Sequence, residues 1–137
     1  MRRIATIAAL SLAAAGGASA ATVPGLKAPS GVSCVLGSPT ALVCDVTKAR
    51  YAKTLQARCA RVAGLDWHGF FLSATKAGQI SCSGGTLVTK TPRYASLAYG
   101  KTWRRGPFTC ASATNGVTCR ARSGHGVAVS RRAWRVW

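Results

Sequence analysis

Glutamate is absent from this chain, and Asp45 and Asp66 are its only acidic side chains. Glycoside hydrolysis usually needs two carboxylates flanking one bond. Asp45 directly follows Cys44, which ties its direction to a cysteine-bearing strand, so both aspartates are read as structural. Histidine is nearly as scarce, with His68 and His125 alone. Nothing resembles a Gly-x-Ser-x-Gly nucleophile turn. Asp66 and His68 stand two apart and are read as a surface pair or a turn. There is no C-x-x-C pair, so zinc-ligand spacing is missing, and neither metal nor cofactor is expected. Beyond residue 20 no stretch is long or apolar enough for a transmembrane helix. The hydrophobic tail of a lipid-anchor signal is missing as well.

The beginning of the chain reads as an address. Arg2 and Arg3 precede a short apolar run, Ile4 to Ala15, and Ala18-Ser19-Ala20 is a small-x-small cleavage site. Residues 1–20 are therefore expected to be a signal peptide, cleaved near Ala20-Ala21. No cysteine stands directly after that site, where a lipid would attach, so the expectation is a secreted or envelope-associated, extracytoplasmic protein. Residues 21–30 hold Pro24, Gly25 and Pro29 and are read as a flexible leader. Residues 31–137 are expected to form one domain.

Six cysteines follow the signal: Cys34, Cys44, Cys59, Cys82, Cys110 and Cys119. An even number in a short exported chain is a disulfide framework. Asn115-Gly116 suits a tight turn, since both residues tolerate positive φ. It lies between a strand carrying Phe108 and Cys110 and a strand carrying Val117, Cys119 and Ala121, with Thr118, Arg120 and Arg122 on the other face. That arrangement favours Cys110–Cys119. A similar loop around Gly37-Ser38-Pro39 favours Cys34–Cys44, leaving Cys59–Cys82 by elimination from 15 possible pairings.

Short β-like runs punctuated by turn residues extend along the domain, including Thr86–Thr89 and Ser96–Tyr99. One segment departs from this pattern. Lys48–Val62 places Tyr51, Leu55, Cys59 and Val62 on one helical face, with Thr47 as a cap and Gly64 as a stop. The expected fold is mainly β, a small antiparallel barrel or sandwich with one short α-helix, stapled by three disulfides.

Charge gives the functional reading. Without Arg2 and Arg3, 17 Lys and Arg stand against two Asp, a formal +15. Such a surface attracts polyanions. Two segments join arginine to tryptophan: Trp103-Arg104-Arg105, and Arg131-Arg132-Ala133-Trp134-Arg135-Val136-Trp137. Guanidinium pairs with phosphate, and indole stacks or anchors. Arg104, Arg105, Arg131, Arg132, Arg135, Trp103 and Trp137 are the candidate contacts to anionic polymers or acidic lipid surfaces. Trp134 is read as a core residue of a closing strand. Plain solvation is the alternative for the arginines. No catalytic residue is assigned.

From Pro29 onward the chain resembles a family of small exported, cysteine-paired actinobacterial proteins of unknown function. The matching residues are Pro29-Ser30-Gly31 before Cys34, Cys44-Asp45, Asp66-Trp67, and Cys82 ahead of Gly84 and Gly85. Tyr99-Gly100-Lys101-Thr102-Trp103, Gly106-Pro107-Phe108-Thr109-Cys110, Gly116-Val117-Thr118-Cys119, Gly124-His125-Gly126 and Ser130-Arg131 follow. The resemblance implies a secreted module with paired cysteines and carries over no residue roles. Val32 stands where asparagine is usual and Val127 where an aromatic is usual; the strong positive charge is not a general trait of the family.

The reading is a non-enzymatic, monomeric binding module for anionic envelope or extracellular polymers. Three alternatives belong to other classes. One is an inhibitor of a secreted protease or lysozyme, presenting a disulfide-held loop. A small ribonuclease using His125 is the second, and a membrane-active cationic protein led by the C-terminal segment is the third.

Overall fold

The computed structural model describes residues 21–137. The expected signal peptide lies outside the described residues. Six strands form the first sheet: β1 (Thr22–Lys27), β2 (Val32–Ser38), β3 (Ala41–Val46), β4 (Asp66–Ser73), β5 (Gln79–Ser83) and β6 (Thr91–Ser96), in the order β5-β4-β3-β2-β1-β6. Helix α1 (Ala52–Cys59) connects β3 to β4. Five strands form the second sheet: β7 (Thr102–Arg105), β8 (Phe108–Ala113), β9 (Gly116–Ala121), β10 (Gly126–Val129) and β11 (Trp134–Val136), in the order β11-β10-β9-β8-β7. The mainly-β expectation holds, and the sheets are open and packed face to face rather than closed into a barrel.

Alternation along the strands builds the core. Leu26, Leu42, Phe70 and Leu72 from the first sheet meet Phe108, Val117 and Val127 from the second, all essentially inaccessible to solvent. The three expected disulfides are present. Cys34 lies directly across from Cys44 on neighbouring strands, and Cys110 across from Cys119. These two bonds meet at the centre, where Cys34 Sγ is 3.9 Å from Cys119 Sγ. Cys59–Cys82 staples α1 to β5.

Residues 21–30 are not a loose leader. β1 pairs antiparallel with β2 (Leu26 opposite Cys34) and parallel with β6 (Gly25 opposite Tyr94), so it is an interior strand of its sheet. Pro24 and Gly25 suggested a leader because they weaken local strand preference. Gly25 is required here for a different reason. A Cβ at that position would sit 2.8 Å from the Cys34 carbonyl oxygen and 3.0 Å from the Tyr94 ring.

Thr86–Thr89 is not a strand; the sixth strand begins at Thr91 and contains Pro92, which an edge strand tolerates. Ser96–Tyr99 is mostly loop, with Leu97 buried in the core, and β7 follows it. The helix is shorter than Lys48–Val62. Thr47 does not cap it, because Lys48 turns the chain at φ 56° and the N-cap position falls to Tyr51 without a side-chain bond. Leu55 and Cys59 are buried as expected, whereas Val62 is 59 % exposed beyond the helix end.

Candidate functional site: a cationic sheet face and its end cleft

The second sheet has one face in the core and one in solvent, and pleating alone sorts its side chains. Cys110, Cys119, Val127 and Val136 take the inner face. The residues between them point outward. Register aligns Arg104, Thr109, Arg120 and Gly126 in one row across β7, β8, β9 and β10. A parallel row runs Thr102, Ala111, Thr118, Ala128 and Arg135 from β7 to β11. Small residues therefore form the floor, and Arg104, Arg120 and Arg135 rise from it.

Trp137 lies among these arginines. A Cβ on Gly126 would approach its ring to 2.5 Å, so the glycine leaves the indole room against the strand. Its Nε1–H donates to the Gly124 carbonyl at 3.0 Å. The Arg120 and Arg135 guanidinium groups lie 5.1 and 4.6 Å from the ring centroid. These cation–π contacts position both cations and leave N–H donors free for an acceptor.

The face continues around one end of the sandwich. A cleft of about 670 Å³ opens there, lined by Pro29, Ser30, Tyr99, Asn115, Gly116, Ser130, Arg131 and Arg132. A smaller groove of about 200 Å³ shares Asn115, Gly116, Ser130 and Ala133 with it and reaches Arg135. Pro29, Ser30, Tyr99, Gly116, Ser130 and Arg131 all belong to the motifs of the family resemblance. Scattered through the sequence, they converge on this one cleft.

The turn carrying Arg131 and Arg132 is held from several sides. Ser130 Oγ accepts from the Arg132 and Ala133 backbone N–H groups at 3.2 and 3.1 Å. Tyr51 Oη donates to the Ser130 carbonyl at 2.7 Å, and burial raises the Tyr51 phenol to about 12. Arg131 Nε donates to the Thr47 carbonyl at 3.0 Å, and the Arg50 N–H donates back to the Arg131 carbonyl at 2.8 Å. Gly31, at φ +86°, leaves room for that guanidinium, which a Cβ would meet at 2.6 Å. Arg131 thus has a structural task, while Arg132 is exposed at the cleft rim.

The predicted residues do not form a single group. Arg104, Arg135 and Trp137 share the outer face; Arg131 and Arg132 border the adjoining cleft. Trp103 does not join them. It stands opposite Cys110, points into the sandwich and is only 6 % exposed. Adjacency to arginine in sequence suggested a surface aromatic, but alternation sends neighbouring residues to opposite faces. Arg105 lies at the β7 edge, its guanidinium 5.8 Å from the Trp103 ring. β7 and β11 are opposite edges, four strand spacings or about 19 Å apart. Arg120 was not among the predicted contacts, although alternation along β9 already placed it outward.

Both acids lie in the first sheet, Asp45 on β3 and Asp66 on β4, so no strand of the second sheet carries an acidic side chain. Asp66 accepts from Gln56 Nε2 at 2.7 Å. Asp45 shares a cleft with His68 on the outer side of the first sheet. Burial raises the Asp45 carboxyl above its usual range, and the charge of His68 offsets part of that. His68 therefore neighbours Asp45 rather than pairing with Asp66. His125 is on the β9–β10 turn of the other sheet, so the two histidines do not share an element. The Cys34, Cys44 and Cys119 sulfurs all lie within 4.8 Å of one another, but they are in disulfides.

No curated protein and no solved structure matches this chain. A family model, by contrast, spans nearly all of it: matching over residues 4–136, the chain belongs to DUF6636, a family of unknown function.

Proposed function

We propose that this protein is a non-enzymatic, monomeric module that works outside the cytoplasm and binds anionic envelope or extracellular polymers through the outer face of its second sheet. The observation that carries this reading is the register of Arg104, Arg120 and Arg135 on a floor of small residues, with Trp137 between two of them. A sheet without acidic side chains offers a repeating phosphodiester no like charge to avoid. Binding proceeds by release of the polymer's counterions, and guanidinium groups then pair with individual phosphates. Trp137 holds Arg120 and Arg135 in place, and Arg132 extends the track into the end cleft. Three disulfides suit an oxidising compartment and keep the face rigid, so little ordering entropy is lost on binding.

The test compares two charge-matched triple variants on immobilised poly(glycerol phosphate). Arg104→Gln/Arg120→Gln/Arg135→Gln removes the face, and Lys53→Gln/Arg58→Gln/Arg61→Gln removes exposed charge from α1 and the residues just beyond it. Retention should fall sharply in the first and little in the second. Equal losses would mean that net charge alone binds the polymer and would overturn the reading.

A further inference from the structure

At the β7 edge, far from Trp137 and Arg135, a cleft of about 260 Å³ opens between β1, β6 and β7. Arg93, Tyr94, Trp103 and Arg105 line it, and no acidic residue does. Arg93 and Arg105 are both exposed, so each can turn its guanidinium toward a ligand. Arg105 is already partly positioned: its Nη1 donates to the Arg104 carbonyl at 3.0 Å and its guanidinium lies over the Trp103 ring.

One donor in this wall has no acceptor. Trp103 is 6 % exposed, and its Nε1–H is buried without a hydrogen-bond partner. Buried donors in folded proteins are nearly always paired, so an orphan beside a cleft calls for a partner that enters from outside. Two guanidinium groups and one neutral N–H suit an acceptor with several oxygens on one centre.

We propose that this cleft binds one phosphate group, with Arg93 and Arg105 supplying charge and Trp103 Nε1–H supplying the neutral hydrogen bond. Arg105 swings from the indole ring onto the ligand as it enters. The site stands independently of the polymer-binding face. A free phosphate or a phosphodiester unit of a polymer would satisfy the same donors.

Indole N–H resonances of the ¹⁵N-labelled mature protein test the assignment. The sequence has four tryptophans, so there are four such signals, and Trp103→Phe identifies the one in question. Inorganic phosphate is titrated to about 20 mM, with sodium chloride at matched ionic strength as the reference. The Trp103 signal should move saturably with phosphate and stay still with chloride. Arg93→Gln and Arg105→Gln should each raise the half-saturation point about tenfold or more. A parallel titration with a glycerol phosphodiester distinguishes the sources: a tighter response to the diester identifies a polymer unit, and a tighter response to inorganic phosphate identifies the free ion. The Arg104→Gln/Arg120→Gln/Arg135→Gln variant should keep the phosphate response even if it loses polymer retention. A Trp103 signal that stays still with both phosphates, or that moves equally in the Arg93→Gln and Arg105→Gln variants, would overturn the site.

Discussion

Leu26 gives a sharp test of the architecture, because its sequence neighbourhood and its place in the fold predict opposite outcomes. In a loose leader Leu26→Ala would change nothing. In the structure the side chain is completely buried, on a strand paired on both sides. Truncating a buried leucine removes its transfer free energy and leaves a cavity, together about 3 kcal/mol within a range of roughly 2–5. The 117 described residues have an unfolding entropy of about 0.25 kcal/mol per kelvin near the midpoint. The melting temperature should therefore drop by about 12 °C. Thermal unfolding of the oxidised protein comprising residues 21–137, followed by circular dichroism, measures this directly. Val62→Ala is the control: that side chain is 59 % exposed and its loss should cost at most about 0.5 kcal/mol. A Leu26→Ala protein melting within about 2 °C of the parent would refute the placement of β1 in the core.

Other consequences follow from the same contacts. Tyr51→Phe deletes the bond to the Ser130 carbonyl and should cost about 1 kcal/mol in denaturant unfolding. The Tyr51 phenol is raised to about 12 in the folded state against 10.0 when unexposed to the fold, so its stabilisation is complete below pH 10 and is lost as pH rises toward 12; ultraviolet titration should find one late-ionising tyrosine that Tyr51→Phe removes. The Asp45 carboxyl is likewise raised, so its share of stability is present below its unfolded value and lost as pH rises through the folded one. Asp45→Asn should accordingly melt no lower than the parent at pH 7, and a marked drop would contradict this. Among the disulfides, Cys59–Cys82 should be reduced first, since Cys82 is exposed while the four cysteines of the other two bonds are buried. Alkylation and mass spectrometry under limiting reductant should find that order. Removing this bond as a Cys59→Ala/Cys82→Ala pair should cost about 3 kcal/mol by the chain-entropy relation for its 23-residue separation.

What the sequence made legible was local. The hairpin of β8 and β9 and its Cys110–Cys119 bond could be read from the sequence, but the turn is Thr114-Asn115, one residue before the expected Asn115-Gly116. Gly116, at φ 126°, already opens β9 opposite Ala113, and that register places Cys110 opposite Cys119. Alternation likewise sent Trp134 and Val136 inward and Arg135 outward. β1 was lost because its strand character comes from pairing with β6, almost seventy positions away, and not from its own Pro- and Gly-bearing residues. Trp103 was misplaced for the converse reason: clustering with Arg104 and Arg105 in sequence outweighed a period-two pattern that sends it inward. The cationic face had a readable component, since Arg120 already fell on the outer side of the hairpin. Its approach to Trp137 needed β10 and β11 folded beside it, and no local signal encodes that.

The central claim concerns a few positioned arginines rather than bulk charge, and the salt dependence of polymer binding separates these. If Arg104, Arg120, Arg132 and Arg135 each engage one phosphate, the logarithm of affinity for poly(glycerol phosphate) should fall with the logarithm of salt concentration at a slope near −3. The Arg104→Gln/Arg120→Gln/Arg135→Gln variant should flatten that slope to about −1, with the fold unchanged by circular dichroism. An unchanged slope in this variant, or binding that barely responds to salt in the parent, would contradict the account.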